Sequence, residues 1–232
     1  MTTTVRALQL ADTTGKAEPA LPPLVLPDPT TSFCWKVKRG SEWLMAATLL
    51  TLLSVPLLAI ALLIRLESPG PVLFCQPRFG RDNRPFKVLK FRTMRTDRCD
   101  LSGGMQTAHR DPRITRVGMI LRKSSLDELP QLVNVLRGDM ALIGPRAHPC
   151  GMRVEGVLCE HLDPHYHHRH RIPPGVTGWA QVNGSRGPVD TSHQLRQRVQ
   201  LDLDYIRNWS LGRDVAILLR TVVVCLRATG AR

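Results

Sequence analysis

The chain has 232 residues, 43% of them hydrophobic and 5% aromatic, with a formal net charge of +13. That length suits one globular domain plus an anchor, and the ordinary composition excludes a chain that is membrane-embedded throughout, so any membrane signal has to be local. The charge favours anionic partners (nucleic acid, lipid headgroups or phosphorylated substrates) without choosing among them. The cysteines, Cys34, Cys75, Cys99, Cys150, Cys159 and Cys225, form no C-x-x-C pair and follow no secretory signal, which points to reduced thiols in a cytosolic compartment rather than a disulfide framework or zinc site.

In chain order, residues 1–32 are rich in Thr, Ala and Pro without a sustained hydrophobic period, and a mostly disordered tail is expected. Residues 33–67 form the expected anchor. Lys36-Val37-Lys38-Arg39 precedes an uncharged run from Trp43 to Ile64, closed by Arg65. The run is roughly 22 residues, enough for a helix to span ~30 Å of hydrocarbon, and it starts too late for a signal peptide. Ser54 and Pro56 lie near its middle, where a proline deletes a backbone hydrogen bond and crowds the preceding turn. Both flanks are basic, which places both ends on the cytoplasmic side. A helix that enters the bilayer, breaks at Ser54–Pro56 and returns satisfies both features; a kinked transmembrane helix is the alternative.

Residues 68–232 are expected to form the cytosolic and interfacial domain. Val72–Gln76 and Phe86–Phe91 read as strands joined by the turn-rich Gly80–Pro85, a hairpin. Asp97–Asp111, with Gly103-Gly104, reads as a mobile loop. Leu126, Leu129, Leu132, Val133 and Leu136 recur at helical spacing, Ser125 and Glu128 fit a capping box, and Pro130 predicts an irregular start. Met140–Ile143 reads as a short strand, Pro173–Gly187 as a long loop, and Ser192–Asn208 and Asp214–Ala228 as helices. The fold class expected is α+β: a broken membrane helix, a small hairpin, a helix bearing the chemistry, and amphipathic helices at the interface.

Asp127-Glu128, with Arg113, Arg116, Arg122 and Lys123 nearby, is the strongest chemical arrangement. Carboxylates at a helix N-terminus are favoured in the ionised form; such a group can attack phosphorus or hold Mg2+, with arginines offsetting a diphosphate. They could equally cap the helix and pair with the arginines. Gly144-Pro145-Arg146 follows a short strand and suits bidentate phosphate binding. No Walker or Rossmann fingerprint is present, which disfavours P-loop kinases and dinucleotide enzymes. His161, His165, His167, His168 and His170 lack metal-ligand spacing and read as a solvated, partly basic segment.

Taken together, Ser68-Pro69-Gly70-Pro71-Val72, Lys90-Phe91-Arg92-Thr93-Met94, Asp111-Pro112-Arg113-Ile114-Thr115, Leu121 to Leu132, Asn134 to Met140, Gly144-Pro145-Arg146, Pro174 to Gly184, and Asp204-Tyr205 with Asn208, Ser210 and Asp214 resemble a known family. It is that of the bacterial sugar transferases, or monotopic polyprenyl-phosphate phosphoglycosyl transferases, and the chain resembles their minimal, catalytic-domain-only form. The resemblance implies an enzyme at the cytoplasmic face of the bacterial inner membrane. It would move a sugar-1-phosphate from a UDP-sugar to polyprenyl (undecaprenyl) phosphate in exopolysaccharide or glycoconjugate synthesis, releasing UMP. By the same resemblance Asp127 is the nucleophile that forms a sugar-phosphoryl-aspartate. Glu128 is its partner as base or Mg2+ ligand, Arg92, Arg113, Arg122 and Arg146 bind substrate phosphates, and Thr177, Gln181, Asn183 and Arg186 line the nucleotide-sugar site. Family members break their re-entrant helix at an adjacent Ser-Pro pair; here Val55 separates Ser54 from Pro56. Arg207, Arg213, Arg220 and Arg227 are expected against anionic headgroups, and a homodimer is compatible with this reading. A glycosyltransferase that moves the sugar without its phosphate would need a nucleotide-binding α/β domain for which the chain shows little. A basic membrane-tethered binding or scaffold protein is the non-enzymatic alternative; as a nucleic-acid binder it would need basic–aromatic interleaving, and nucleic acid is not an expected partner.

Overall fold

The computed structural model describes Leu24 and residues 26–95 and 111–226. The Asp97–Asp111 loop, except Asp111, and most of the expected tail lie outside the described residues, as do Arg227 and Ala228. The packed chain begins earlier than expected: Leu26 is buried, and Pro29–Thr31 form a 3-10 turn capped by the Asp28 carboxylate.

The hydrophobic run folds as two helices, α1 (Phe33–Leu52) and α2 (Ser54–Glu67). Ser32 caps α1, its hydroxyl accepting the Trp35 N–H at 3.1 Å. Neither helix alone is long and apolar enough to cross a membrane; the bent pair together is, by length and composition. The 63° bend falls at Leu53, whose φ of −91° and ψ of 4° leave the helical region. This corrects the expected position: Ser54 and Pro56 both lie in the first turn of α2. Pro56 is still the cause, because it has no N–H to give Leu52 and its ring crowds that carbonyl. The Ser54 hydroxyl donates back to Thr51 O at 2.8 Å.

Both ends of this pair are fastened to the rest of the chain. Near the start of α1, the buried Lys38 Nζ lies 2.6 Å from Glu42, 2.8 Å from Asp214 and 3.0 Å from Ile143 O. Tyr205 and Trp209 complete the shell of Asp214, so no charge in the group is left unpaired. At the end of α2, Ile64 packs with Phe91 and Leu121. Glu67 accepts the first N–H groups of α3 (Arg116–Ser124), those of Arg116 and Val117.

The hairpin forms from β1 (Leu73–Phe79) and β2 (Pro85–Phe91), antiparallel with Gln76 opposite Val88. Helix α4 (Gln131–Arg137) completes it from the side: the buried Asn134 accepts the Leu89 N–H at 3.0 Å and donates to Lys87 O at 2.9 Å. Strand β3 (Ala141–Ile143) pairs in parallel with β6 (Gly175–Thr177), and a short ribbon joins β4 (Arg153–Val154) to β5 (Val157–Leu158), followed by α5 (Cys159–Leu162). The expected Pro173–Gly187 loop therefore contains β6 and also α6 (Trp179–Val182). Its glycines serve close packing: a Cβ on Gly175 would lie 2.1 Å from Gly144 N, and one on Gly178 2.1 Å from Gly144 O.

Helix α7 (Ser192–Arg207) has a capping box at Thr191 and Gln194 and buries Leu195, Val199, Leu203 and Ile206 in the core. Helix α8 (Leu211–Leu226) begins three residues before the expected Asp214 and contributes Ile217. Mixed helices and small sheets around one core make the fold α+β.

Candidate active site

The Asp127-Glu128 pair sits where α3 ends and α4 has not begun. Ser125 closes α3 in the left-handed region (φ 59°), Leu126–Glu128 form one 3-10 turn, and Pro130 occupies the N-cap of α4. The expected capping box is absent, because a left-handed Ser125 cannot aim its hydroxyl at the following N–H groups; that hydroxyl instead accepts Arg186 Nη2 at 2.6 Å. The two acids are thus presented on a tight turn, not on the first turn of a long helix.

Their environments differ. Glu128 accepts Lys90 Nζ at 2.6 Å on Oε1 and both Arg146 nitrogens, Nη1 on Oε2 at 3.1 Å and Nη2 on Oε1. Burial alone would raise its pKa, but the charges and hydrogen bonds of Arg146 and Lys90 outweigh this and hold it well below the usual carboxylate range. The Asp127 carboxylate makes no hydrogen bond or ion pair among the described residues. Its pKa is raised: burial dominates, Lys90 pulls against it, and the Glu128 charge adds to it. Neighbouring carboxylates with pKa values driven apart are the pattern of two groups with two roles. One is a fixed anion that organises cations; the other is a free, poorly solvated oxygen.

Of the four expected phosphate-binding arginines, Arg122 and Arg146 are near enough for their charges to lower the Asp127 pKa. Arg122 also donates to Thr93 Oγ1 at 2.9 Å. Arg146 follows the Gly144-Pro145 turn, pinned because Gly175 N donates to Pro145 O at 2.9 Å and Arg169 donates to Arg146 O at 2.7 Å. Arg92 and Arg113 have partners within the chain. Arg92 is 4% exposed and holds the end of α2, donating to Ser68 O, Ser68 Oγ, Ile64 O and Pro69 O. Arg113 makes a bidentate pair with Asp111.

The segment expected to line the nucleotide-sugar site is only partly beside the acids. Arg186 reaches Ser125. Thr177 shares a hydroxyl–hydroxyl contact with Thr221 of α8, Gln181 donates to Val176 O with its Oε1 buried and unpaired, and the exposed Asn183 caps back on Trp179 O. Trp179 lies under Arg213 at 4.1 Å and Arg220 at 5.3 Å, and Arg213 is paired with Asp204.

Sequence reasoning missed Lys90 and Arg78 as members of the site. Arg78 is half-buried, bonded to Gln76 and Ala147 O, and its pKa falls to about 10 through desolvation and the neighbouring Arg146. The signal was strand alternation: Gln76 and Arg78 on β1, and Val88 and Lys90 on β2, share the hairpin face that carries buried Val88.

The histidine run is corrected at His170, which is buried, while His161, His165, His167 and His168 keep solvent contact as expected. Tyr166–His170 forms a 3-10 helix, whose three-residue period turns Tyr166 and Arg169 inward with Asp163 before them. Arg169 pairs with buried Asp202, and His170 stacks on Phe79 and contacts Asn83. Among the described residues no group of three or more His, Cys, Asp or Glu side chains could hold a metal. Mg2+ can manage with one or two carboxylates when substrate phosphates supply further oxygens. Asp127 fits that requirement, whereas both Glu128 oxygens are already engaged.

A family model described as bacterial sugar transferase matches residues 33–228. The chain is 51% identical over 187 residues to an exopolysaccharide production protein PSS of Rhizobium leguminosarum bv. phaseoli, covering 81% of this chain and 94% of that one. It is 53% identical over 186 residues to an undecaprenyl-phosphate glucose phosphotransferase of Komagataeibacter xylinus, covering 80% of this chain but 35% of that protein. It is 41% identical over 211 residues to a UDP-N-acetylgalactosamine-undecaprenyl-phosphate N-acetylgalactosaminephosphotransferase of Aeromonas hydrophila, covering 90% and 47%. The chain thus spans nearly all of one relative and between a third and a half of the other two, and it belongs to the bacterial sugar transferase family.

Proposed function

We propose that the chain transfers a sugar-1-phosphate from a UDP-sugar to undecaprenyl phosphate, with Asp127 as the nucleophile. The observation that carries this is the unpartnered Asp127 carboxylate beside a Glu128 locked by Arg146 and Lys90, in a chain whose relatives include undecaprenyl-phosphate sugar phosphotransferases. An Asp127 oxygen attacks the β-phosphorus of the donor. The bond from that phosphorus to the bridging oxygen breaks, and UMP leaves with the oxygen and its electron pair. A phosphate oxygen of the lipid then attacks the same phosphorus, and Asp127 departs as a carboxylate. No proton needs to be consumed overall, so positioning and charge neutralisation are the main demands. Glu128 meets them by holding Arg146 and Lys90 in place; its depressed pKa disfavours a role as acid. Mg2+ carried by the diphosphate would be held by Asp127 and would neutralise charge on the phosphates.

The lipid substrate places this chemistry at the cytoplasmic face of the bacterial inner membrane. Exposed apolar side chains support that setting: Leu52, Val55, Leu58 and Leu66 on the bent pair, Met119 and Ile120 on α3, and Val215, Leu219 and Val222 on α8. The bent pair serves as a re-entrant anchor. The test is UMP release from purified protein given Mg2+, undecaprenyl phosphate and a panel of UDP-sugars. Wild type releases UMP with at least one sugar, and Asp127→Asn releases almost none; release by that variant at the wild-type rate removes Asp127 from the mechanism.

A further inference from the structure

Helix α7 contributes no side chain to the dyad, yet two of its buried residues, one turn apart, lead to it. Asp202 is 1% exposed and pairs with Arg169, which donates to Arg146 O at 2.7 Å. Arg198 is 4% exposed and points the other way. Its Nε donates to Ser185 Oγ and its Nη2 to Gly187 O, each at 3.0 Å. These two bonds grip either side of Arg186, whose own guanidinium holds Ser125 Oγ at 2.6 Å. The strap from Gly184 to Gly187 turns at both ends through glycines in the left-handed region, with φ of 87° and 93°. Such a segment has little intrinsic preference for one shape, so its shape is set by what grips it. Ser125 is itself left-handed and stands two residues before Asp127, so displacing it re-aims the turn that presents the nucleophile.

We infer that Arg198 is a positioning residue for the transfer reaction: it fixes the 184–187 strap so that Arg186 can hold Ser125, and through Ser125 the Asp127 turn, in attacking geometry. The inference rests on Asp127 being the nucleophile. It goes beyond that reading by assigning a kinetic role to a buried arginine that touches neither substrate nor dyad. Arg198 acts mainly on the nucleophile's geometry, through the Arg186–Ser125 contact, so its loss lowers kcat far more than it weakens donor binding, even though Arg186 lies in the segment expected to line the donor site. Misplacing a reacting group by about 1 Å can cost on the order of a hundredfold.

The experiment measures UMP release against UDP-sugar concentration at saturating undecaprenyl phosphate for wild type, Arg198→Met, Arg198→Lys, Ser125→Ala and the Ser125→Ala/Arg198→Met double variant. Arg198→Met is expected to lower kcat by roughly ten- to a hundredfold and to change KM for the donor by less than about threefold, well short of one tenfold step in binding. Arg198→Lys, which keeps one donor to the strap, recovers part of the loss. The double variant is no slower than the slower single one, because both substitutions cut the same chain of contacts. A raised KM with unchanged kcat, an unchanged kcat and KM, or losses that multiply in the double variant would each overturn the inference. Ser185→Ala removes only one of the two strap bonds and is expected to show the same kcat-selective loss in milder form, so the outcome stands even where Arg198→Met fails to fold. Asp127→Asn is run beside them: its activity judges the nucleophile, while the coupling between Ser125 and Arg198 judges the strap.

Discussion

At the scale of single residues, the dyad derives its asymmetry from which cations reach which carboxylate. Lys90 and Arg146 bond Glu128 directly and act on Asp127 only through space. As the proposed nucleophile, Asp127 must be anionic to attack phosphorus, and its pKa is raised, so activity should fall as pH drops through a value above the ordinary aspartate range. The sign for a lysine variant follows. Lys90 is the largest influence lowering the Asp127 pKa, so Lys90→Met should raise that pKa further and move the acidic limb of kcat/KM to higher pH. A pH profile of kcat/KM for the UDP-sugar checks this, and a limb that moved to lower pH would contradict it. Glu128 should stay ionised throughout, because Arg146 remains bound to it.

At the scale of elements, the hairpin carrying Lys90 and Arg78 packs on α4 through Val88, Leu132 and Val135, and one polar side chain adds hydrogen bonds across that contact. Asn134 is fully buried, and its amide pairs Leu89 N–H and Lys87 O where a third strand would otherwise lie. Asn134→Ala would strand two backbone groups out of water at a cost of about 2–4 kcal/mol, visible as a melting temperature roughly 5–15 °C lower; a shift under about 2 °C would mean that water replaces the amide. Nothing local in Asn134-Val135-Leu136 announces this contact, since an asparagine inside a helix reads as mildly unfavourable until its partner strand is known. The same distinction separates what was legible from what was not. The two C-terminal helices, the hairpin and the α+β class follow from periodicity and turn chemistry, which are local. The tight turn presenting Asp127 was foreshadowed by Pro130. The partners of Arg92 and Arg113 were not legible, because an arginine in a basic stretch reads the same whether it faces substrate, a helix end or a neighbouring aspartate. Lys90 and Arg78 were obscured because their role depends on which hairpin face packs inward.

At the scale of the whole molecule, the geometry of the bent pair constrains how the chain can meet a bilayer. From Lys38 to Leu52 and from Ser54 to Glu67 the two arms are each about 21–22 Å long at 1.5 Å per residue. With the 63° bend between them, the apex stands about 11 Å off the line joining their ends. That is less than the ~15 Å of half a hydrocarbon core, so with both ends at one surface the apex stays within the nearer leaflet. The ends are fixed independently: Lys38 is bonded to Glu42, Ile143 O and Asp214, and Ser68 is bonded to Arg92, all within the one folded body. Placing the two ends on opposite faces would require pulling one of them out of that body, and breaking the Lys38 cluster would leave buried charges unpaired at about 3–5 kcal/mol. Native cysteines offer the probe, because Cys34 in the first turn of α1 and Cys75 beyond α2 are both exposed. In single-cysteine variants that retain only Cys34 or only Cys75, each should react with a membrane-impermeant maleimide in inverted inner-membrane vesicles and neither in intact spheroplasts. If Cys34 and Cys75 label from opposite sides, the shallow wedge is wrong, and so is an active site formed where both arms return to the same surface.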